Sequence, residues 1–314
     1  MLNFLYCLDE NYNLQALNSI NSLLNNCKNQ INLFVIHKNP ISFEKNFDNF
    51  IDKKNINKLK IIKFDIKNVD FPKLNSSHVS EATYYRLFID FYLADEEIEH
   101  IVYLDSDIIC LNNPQILLEN EIKKMKKYNK PLAAKTEGTR QDSLELFLKL
   151  GLKNDNHFNA GVIIINLKKW AHQKTSSKLL KIMNERRDKI VYWDQDLLNI
   201  YFDDNYSKLN KYLNYNHSVF QNTLIPDEEL HKICFLHYSG KSKPWDAVNL
   251  LNLNSNYYQK TFSNLGLYKY HITFKKTFKN TYKLLLIIFK LQFLKLEYPL
   301  EYLKLTFKAL FKVN

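Results

Sequence analysis

Ile101-Val102-Tyr103-Leu104-Asp105-Ser106-Asp107-Ile108-Ile109 is the stretch on which the reading of this chain turns. Four apolar residues bounded by polar ones have the length of a buried strand rather than of a helix. In extended backbone, residues i and i+2 share a face, so Asp105 and Asp107 can both reach one hard divalent cation. At a strand's carboxyl end, such a pair is where an α/β enzyme holds a substrate phosphate through a metal. A turn or helix cap is the plainer reading of Asp-x-Asp, so the surrounding sequence has to choose.

Working outward, Leu2 to Leu8, Ile31 to His37, Leu59 to Phe64 and Ile101 to Leu104 read as strands. Between them Leu14, Leu17, Ile20 and Leu24 recur at helical spacing, as do apolar residues of the 43–51 segment. This alternation predicts an α/β fold with a mainly parallel central sheet, whose ligands sit at the carboxyl ends of the strands. Asp9 follows the first of these strands and Asp105 the fourth. The segment 80–93 reads as a helix carrying Arg86, the only arginine among the first 139 residues. Its planar fork suits a carboxylate or substrate oxygens, and an ordinary surface ion pair suits it equally.

Further on, His157-Phe158-Asn159-Ala160-Gly161-Val162-Ile163-Ile164-Ile165-Asn166-Leu167 reads as a polar turn feeding a buried strand, with Gly161 permitting close backbone approach. A helix is expected around 170–187, followed by Tyr192-Trp193-Asp194-Gln195-Asp196 at the next helix start, where Asp194 could serve simply as a cap. Ile233 to Leu236 reads as a strand leading into His237-Tyr238-Ser239-Gly240-Lys241-Ser242-Lys243-Pro244-Trp245. A histidine at a strand end followed by a lysine-bearing turn could complete a metal and phosphate site, although a lone histidine is more often structural.

Composition excludes several classes. The five glycines, at 138, 151, 161, 240 and 266, never cluster, so no Gly-rich phosphate cradle can be drawn. Cys7, Cys27, Cys110 and Cys234 form neither a zinc spacing nor a disulfide framework and read as small buried hydrophobes of a reducing compartment. The N-terminus lacks a basic n-region and reads as a core strand rather than a signal peptide, so a cytoplasmic protein is expected. The net charge of +11 is concentrated beyond residue 267, where ten Lys and two Glu leave +8. That segment interleaves lysines with Leu, Ile, Phe and Tyr, and its longest apolar run is Leu284 to Phe289, too short to span a bilayer. With a break expected at Pro299, it predicts a basic amphipathic helical tail lying on an anionic membrane surface. A helix docked on its own core and nucleic-acid binding are the competing readings, the latter without a recognised module.

YLDSDI at 103–108, HFNAGVIIINLKKW at 157–170, YWDQDLLN at 192–199 and LHYSGKSKPW at 236–245, in this order, resemble the retaining glycosyltransferases of family 8. The likeness covers roughly residues 1 to 250 and is strongest to bacterial lipooligosaccharide or lipopolysaccharide galactosyltransferases and glucosyltransferases. It implies a single GT-A domain, a Rossmann-like nucleotide-diphospho-sugar transferase fold, over residues 1–265, with residues 266–314 as the membrane-associating tail. It also implies a UDP-hexose donor, galactose or glucose, bound with Mn2+ or Mg2+. Residue by residue, Asp105, Asp107 and His237 would hold the metal, a mixed set that fits manganese better than calcium.

By the same resemblance, Cys7, Asp9 and Asn11 would line the uridine, and Ser106 would belong to the donor-binding set. Gly240 and Lys243 would close over the phosphates, and a second closing loop at 75–80 would carry His78. Arg86, Asn159, Ala160, Asp194 and Gln195 would surround the donor sugar. Gln195 would stand nearest the anomeric carbon, with Asp194 as the other catalytic candidate. Because an amide is a poor nucleophile, front-face attack by the acceptor is favoured over a covalent intermediate on Asp194. The acceptor implied is an oligosaccharide or glycolipid at the inner face of the cytoplasmic membrane, with Glu137 on its side of the site. The alternatives are a non-catalytic membrane-surface adaptor, or a nucleotide-sugar hydrolase or pyrophosphorylase. A pyrophosphorylase would want a Gly-rich N-terminal loop, and no glycine precedes Gly138.

Overall fold

Along β1 (Asn3–Leu8), Phe4, Tyr6 and Leu8 point into one apolar cluster while Leu5 and Cys7 point into another, and all five are buried. A strand apolar on both faces belongs inside a three-layer α/β structure, which explains the unbroken runs in the sequence. The computed structural model describes residues 1–67, 69–72, 80–219 and 223–311. Beside β1 lie β2 (Ile31–His37), β3 (Ile56–Lys63) and β4 (His100–Leu104). After β5 (Ile108–Cys110) come β6 (Leu132–Thr139), β7 (Asn156–Asn166) and β8 (Ser207–Lys208). Last are β9 (Tyr215–Asn216) and β10 (Phe235–His237).

The large sheet has the order β3-β2-β1-β4-β7-β6-β8 and the small one β5-β10-β9. All seven strands of the large sheet run alike except β7, which opposes both β4 and β6. The mainly parallel α/β sheet expected of a GT-A domain is therefore present. The reversal matters for function, because it delivers the beginning of β7, Asn159 to Gly161, to the edge where the parallel strands end. Helices Asn13–Asn26 and Pro40–Phe50 cover one face through Leu17, Ile20, Leu23, Phe43 and Phe47. Helices Thr175–Glu185 and Trp193–Phe202 cover the other through Leu179, Met183, Leu197 and Phe202.

Four local expectations change. β3 begins at Ile56, three residues early, because exposed Asn57 and Lys58 on this edge strand interrupt the apolar run. The 80–93 segment is a tight 3-10 coil over Glu81–Phe88 and α-helical only over Ile89–Leu93. Six of the eight coil residues are buried, so it has no solvent face of the kind a surface α-helix keeps. The 170–187 helix is two helices, Leu167–His172 and Thr175–Glu185, separated where Lys174 takes a left-handed φ of 52°. Pro299 opens the final helix, Pro299–Phe311, rather than breaking one, since its missing N–H is not needed at a first helical position. All four cysteines are buried and free, as expected.

The C-terminal segment docks on the domain. The Ala247 N–H donates to the Thr273 carbonyl at 2.9 Å and the Thr273 N–H to the Trp245 carbonyl at 2.8 Å, while the Tyr302 hydroxyl donates to the Ala247 carbonyl at 3.1 Å. Leu284, Ile287, Tyr302 and Leu305 form a cluster with Val248 and Leu250. His271 anchors the junction, hydrogen-bonded at Nδ1 to the Tyr258 hydroxyl at 2.8 Å and stacked on Trp245. Burial pushes its imidazole down to about 3 from the usual 6.5. Folded His271 thus stays neutral while the unfolded chain takes up a proton, and stability is lost as pH falls from about 6.5 toward 3. At pH 5 this one group should cost about 2 kcal/mol. Thermal unfolding of wild type against His271→Phe at pH 7 and pH 5 should show a smaller acid-induced drop in Tm in the variant.

Candidate active site

The two sheets part company at Asp105-Ser106-Asp107. The Asp105 N–H donates to the Gly161 carbonyl at 2.9 Å, the last rung between β4 and β7. Two residues on, the Asp107 carbonyl accepts from the Tyr238 N–H at 3.2 Å, in the small sheet where β10 pairs antiparallel with β5. The carboxylate pair therefore straddles the divergence, and β10 ends there on His237. Donor atoms of Asp105, Asp107 and His237 all lie within 4.8 Å of one another. His237 Nε2 stands 3.3 Å from Asp107 Oδ1 and 4.0 Å from Asp105 Oδ2.

Gly161 is what lets the imidazole in. A Cβ at that position would stand 2.2 Å from His237 Cε1, so any side chain would evict the ring. The close approach anticipated at Gly161 is real, and its partner is the histidine.

The donor set fits a divalent cation. Two carboxylates and an imidazole suit a borderline-hard ion, and buried Asp107 Oδ1 takes no hydrogen bond among the described residues. Lys243 Nζ donates to the other oxygen, Oδ2, at 2.5 Å and to the Tyr238 carbonyl at 2.8 Å. Burial alone would raise Asp107, but the Lys243 ammonium outweighs it and holds the carboxyl below the usual range. Asp105 moves the other way, raised by burial and by the neighbouring charge of Asp107 against the pull of Arg86. Gly240, at a left-handed φ of 85°, turns the 239–243 loop back so that Lys243 reaches the seat.

Behind the seat lies Arg86, 3% exposed. Its Nε donates to Asp194, and one terminal nitrogen reaches the Ala160 carbonyl at 2.6 Å and Asp105 at 3.4 Å. The guanidinium also lies 4.2 Å from the centre of the Tyr103 ring, whose hydroxyl donates to Asp105 at 2.6 Å. Burial would lower the Arg86 pKa, and the charges of Asp194 and its neighbours reverse this, so the charge is fixed. Asp194 also accepts from the Thr83 hydroxyl, so both its oxygens are engaged. The cap reading of Asp194 gives way to this pairing. Asp196 holds the turn instead, accepting from the N–H groups of Val191 and Tyr192, each at 2.7 Å, while Trp193 adopts a left-handed φ of 50°.

Gln195 accepts from the Ala160 N–H at 2.9 Å and donates to Glu137 at 3.3 Å, and Asn159 also donates to Glu137, at 3.2 Å. These groups border a cleft of about 680 Å³. Cys7, Arg86, Asp105, Ser106, Asp107 and Asn159 line it, as do Asp194, Gln195, His237, Gly240 and Lys243. Ala160 takes part through its backbone behind Gln195 and Arg86. Asp9 is buried as the cap of the Glu10–Tyr12 turn, bonded to the Asn11 N–H at 3.0 Å, and it is Tyr12 that reaches the cleft wall. His78 and its loop lie outside the described residues, apart from Ser80, which lines the cleft. Thr83, Tyr103 and Asn214, the last bonded to His237, are contributors that sequence patterns did not flag.

The family model described as Glycosyl transferase family 8 matches residues 3–249. A lipopolysaccharide 1,2-glucosyltransferase of Escherichia coli is 25% identical over 285 residues, spanning 87% of this chain and 80% of that protein. A lipopolysaccharide 1,3-galactosyltransferase of Salmonella typhimurium is 28% identical over 191 residues, covering 58% of this chain and 54% of its own length. Among solved structures, galactosyltransferase LgtC in complex with donor and acceptor sugar analogues superposes with a TM-score of 0.68 at 19% identity, covering 90% of this chain and all of that one. Fold, motif order and family match agree: the chain belongs to glycosyl transferase family 8.

Proposed function

We propose that this glycosyltransferase moves a hexose, galactose or glucose, from a UDP-sugar to a hydroxyl of a lipopolysaccharide-type glycan, with retention of configuration. The observation that carries the reading is the convergence of Asp105, Asp107 and His237 on one point of a cleft closed by Lys243. Mn2+ or Mg2+ held by these three residues would supply electrostatic stabilisation to the departing diphosphate. Lys243, on the 239–243 loop at the rim, adds a second positive charge for the phosphates.

Asp194 is poorly placed to act as a nucleophile, since Arg86 and Thr83 occupy both of its oxygens. Gln195 is held by the Ala160 N–H and Glu137 in one amide orientation, which suits positioning of the sugar rather than attack on it. This supports front-face delivery of the acceptor hydroxyl. An adaptor without chemistry would have no need of this set, and a hydrolase would ignore the acceptor.

UDP release from UDP-galactose and UDP-glucose, with and without MnCl2, tests the reading. One sugar should turn over in a metal-dependent way, faster when a lipooligosaccharide acceptor is added, and Asp107→Ala should lower the rate about 100-fold or more. Absence of turnover and binding with every UDP-sugar would overturn it, and turnover indifferent to acceptor would favour the hydrolase.

We further infer peripheral attachment of residues 266–314 to the inner face of the cytoplasmic membrane. No helix of the described residues is long and apolar enough to cross a membrane. Helix Phe278–Phe289 buries Leu284 and Ile287 on the domain yet turns Phe278 (91% exposed), Tyr282, Leu285 and Phe289 (87%) outward along one stripe. Lys275, Lys276 and Lys279 flank that stripe, and together they match an anionic lipid surface. Co-sedimentation with phosphatidylglycerol-containing vesicles should fall at least about tenfold in Phe278→Ser/Phe289→Ser, weaken in high salt, and be absent with phosphatidylcholine alone. Equal binding of variant and wild type would remove the stripe from the account.

A further inference from the structure

The geometry points to Asn214 as a positioning residue that fixes the tautomer of His237, a role that rests on the reading of His237 as a metal ligand. The assignment follows from a group that can only donate. The Gly161 backbone N–H points at one end of the Asn159 amide at 2.9 Å, so that end must be the oxygen, Oδ1. The opposite end, Nδ2, faces the Glu137 carboxylate at 3.2 Å, as it should. Asn159 Oδ1 also meets the Asn214 amide at 2.9 Å, which must therefore present its nitrogen. Asn214 is left with its oxygen against His237 Nδ1 at 2.9 Å, and that ring nitrogen must carry a hydrogen.

A neutral imidazole protonated at Nδ1 has its lone pair on Nε2. That atom is the one facing Asp107 Oδ1 at 3.3 Å and Asp105 Oδ2 at 4.0 Å. Two acceptors in that relation hold nothing between themselves, but each is a ligand for a cation. Asn159 and His237 border the cleft, but the link between them is enclosed: Asn214 is 0% exposed and the His237 side that meets it is turned from the cleft into the buried interior. Solvent therefore offers His237 Nδ1 no substitute partner. Asn214 reaches its place because β9, which starts at the next residue, pairs in parallel with β10.

The test reads the histidine itself, apart from turnover. In metal-free protein labelled with 15N-histidine, long-range 1H–15N correlation at about pH 8.5 reports which ring nitrogen bears the hydrogen, with His237 assigned by its loss in His237→Gln. Wild type should show the Nδ1–H form. Asn214→Leu should shift His237 to a tautomer mixture and weaken Mn2+ binding, measured by the free-Mn2+ EPR signal, by about 10- to 100-fold. Asn214→Asp keeps the acceptor for Nδ1 although it loses the donor to Asn159 Oδ1, and it should restore the Nδ1–H form and part of the affinity, which a merely space-filling role would not predict. Should Asn214→Leu fail to fold, Asn214→Asp against Asn214→Ser supplies the same contrast.

An Nε2–H form in wild type, or unchanged tautomer and Mn2+ affinity in Asn214→Leu, would overturn the assignment. Wild type showing the Nδ1–H form, lost in Asn214→Leu, but binding no Mn2+ would uphold Asn214 as the residue that sets the ring and overturn the metal reading instead.

Discussion

A guanidinium buried in an α/β core must be surrounded by acceptors, and the site is organised around meeting that demand at Arg86. Its partners come from three separate elements: Asp194 on helix Trp193–Phe202, the Ala160 carbonyl on β7, and Asp105 at the end of β4. Removing one member of such a buried set leaves an uncompensated charge, at a cost of about 3–5 kcal/mol. Helix Trp193–Phe202, the reversed strand and the Asp105 end of β4 are thereby held in one mutual arrangement.

The second organising fact is topological. β4 stops in one sheet and the chain resumes as β5 in another, so the intervening three residues are tied at both ends to different ladders. β10 then lays His237 against this junction, over a residue that has no side chain. A seat built from strand ends and backbone rungs is stiff without help from a ligand, which is what preorganisation requires. The positive charge that closes it, on Lys243, comes from a loop rather than a strand and is held there by Asp107 and the Tyr238 carbonyl.

Much of this was legible in the sequence. β1, β2, β4, β7 and β10 announced themselves as apolar runs, and the carboxyl ends of β1, β4 and β10 pointed to the cleft edge, whereas β7, which runs the other way, meets that edge with its first half. Asp105, Asp107 and His237 carried chemistry that strand positions made usable. The neutral amides did not. Asn214 lies 23 residues from His237 and 55 from Asn159, in a chain where asparagine is common, and no periodicity distinguishes it from its neighbours. Thr83 and Tyr103 were hidden for a similar reason, since each acts through a hydrogen bond that exists only once distant elements pack. The 3-10 coil misled because helical spacing does not separate three residues per turn from 3.6 over so few residues.

The docked C-terminal segment has a mechanical corollary. Tyr302, His271 and the 246–273 backbone pairing bind it to the same body that carries the cleft. It is thus a footing rather than a leash. Whatever surface the Phe278–Phe289 stripe meets, the cleft is held at one height and tilt above it. A tethered enzyme would sweep a hemisphere and accept any sugar within reach, whereas one on a rigid footing discriminates by how far a hydroxyl projects. On the membrane-bound reading proposed above, the chain length of the acceptor, and not only its chemistry, would then decide which hydroxyl is reached.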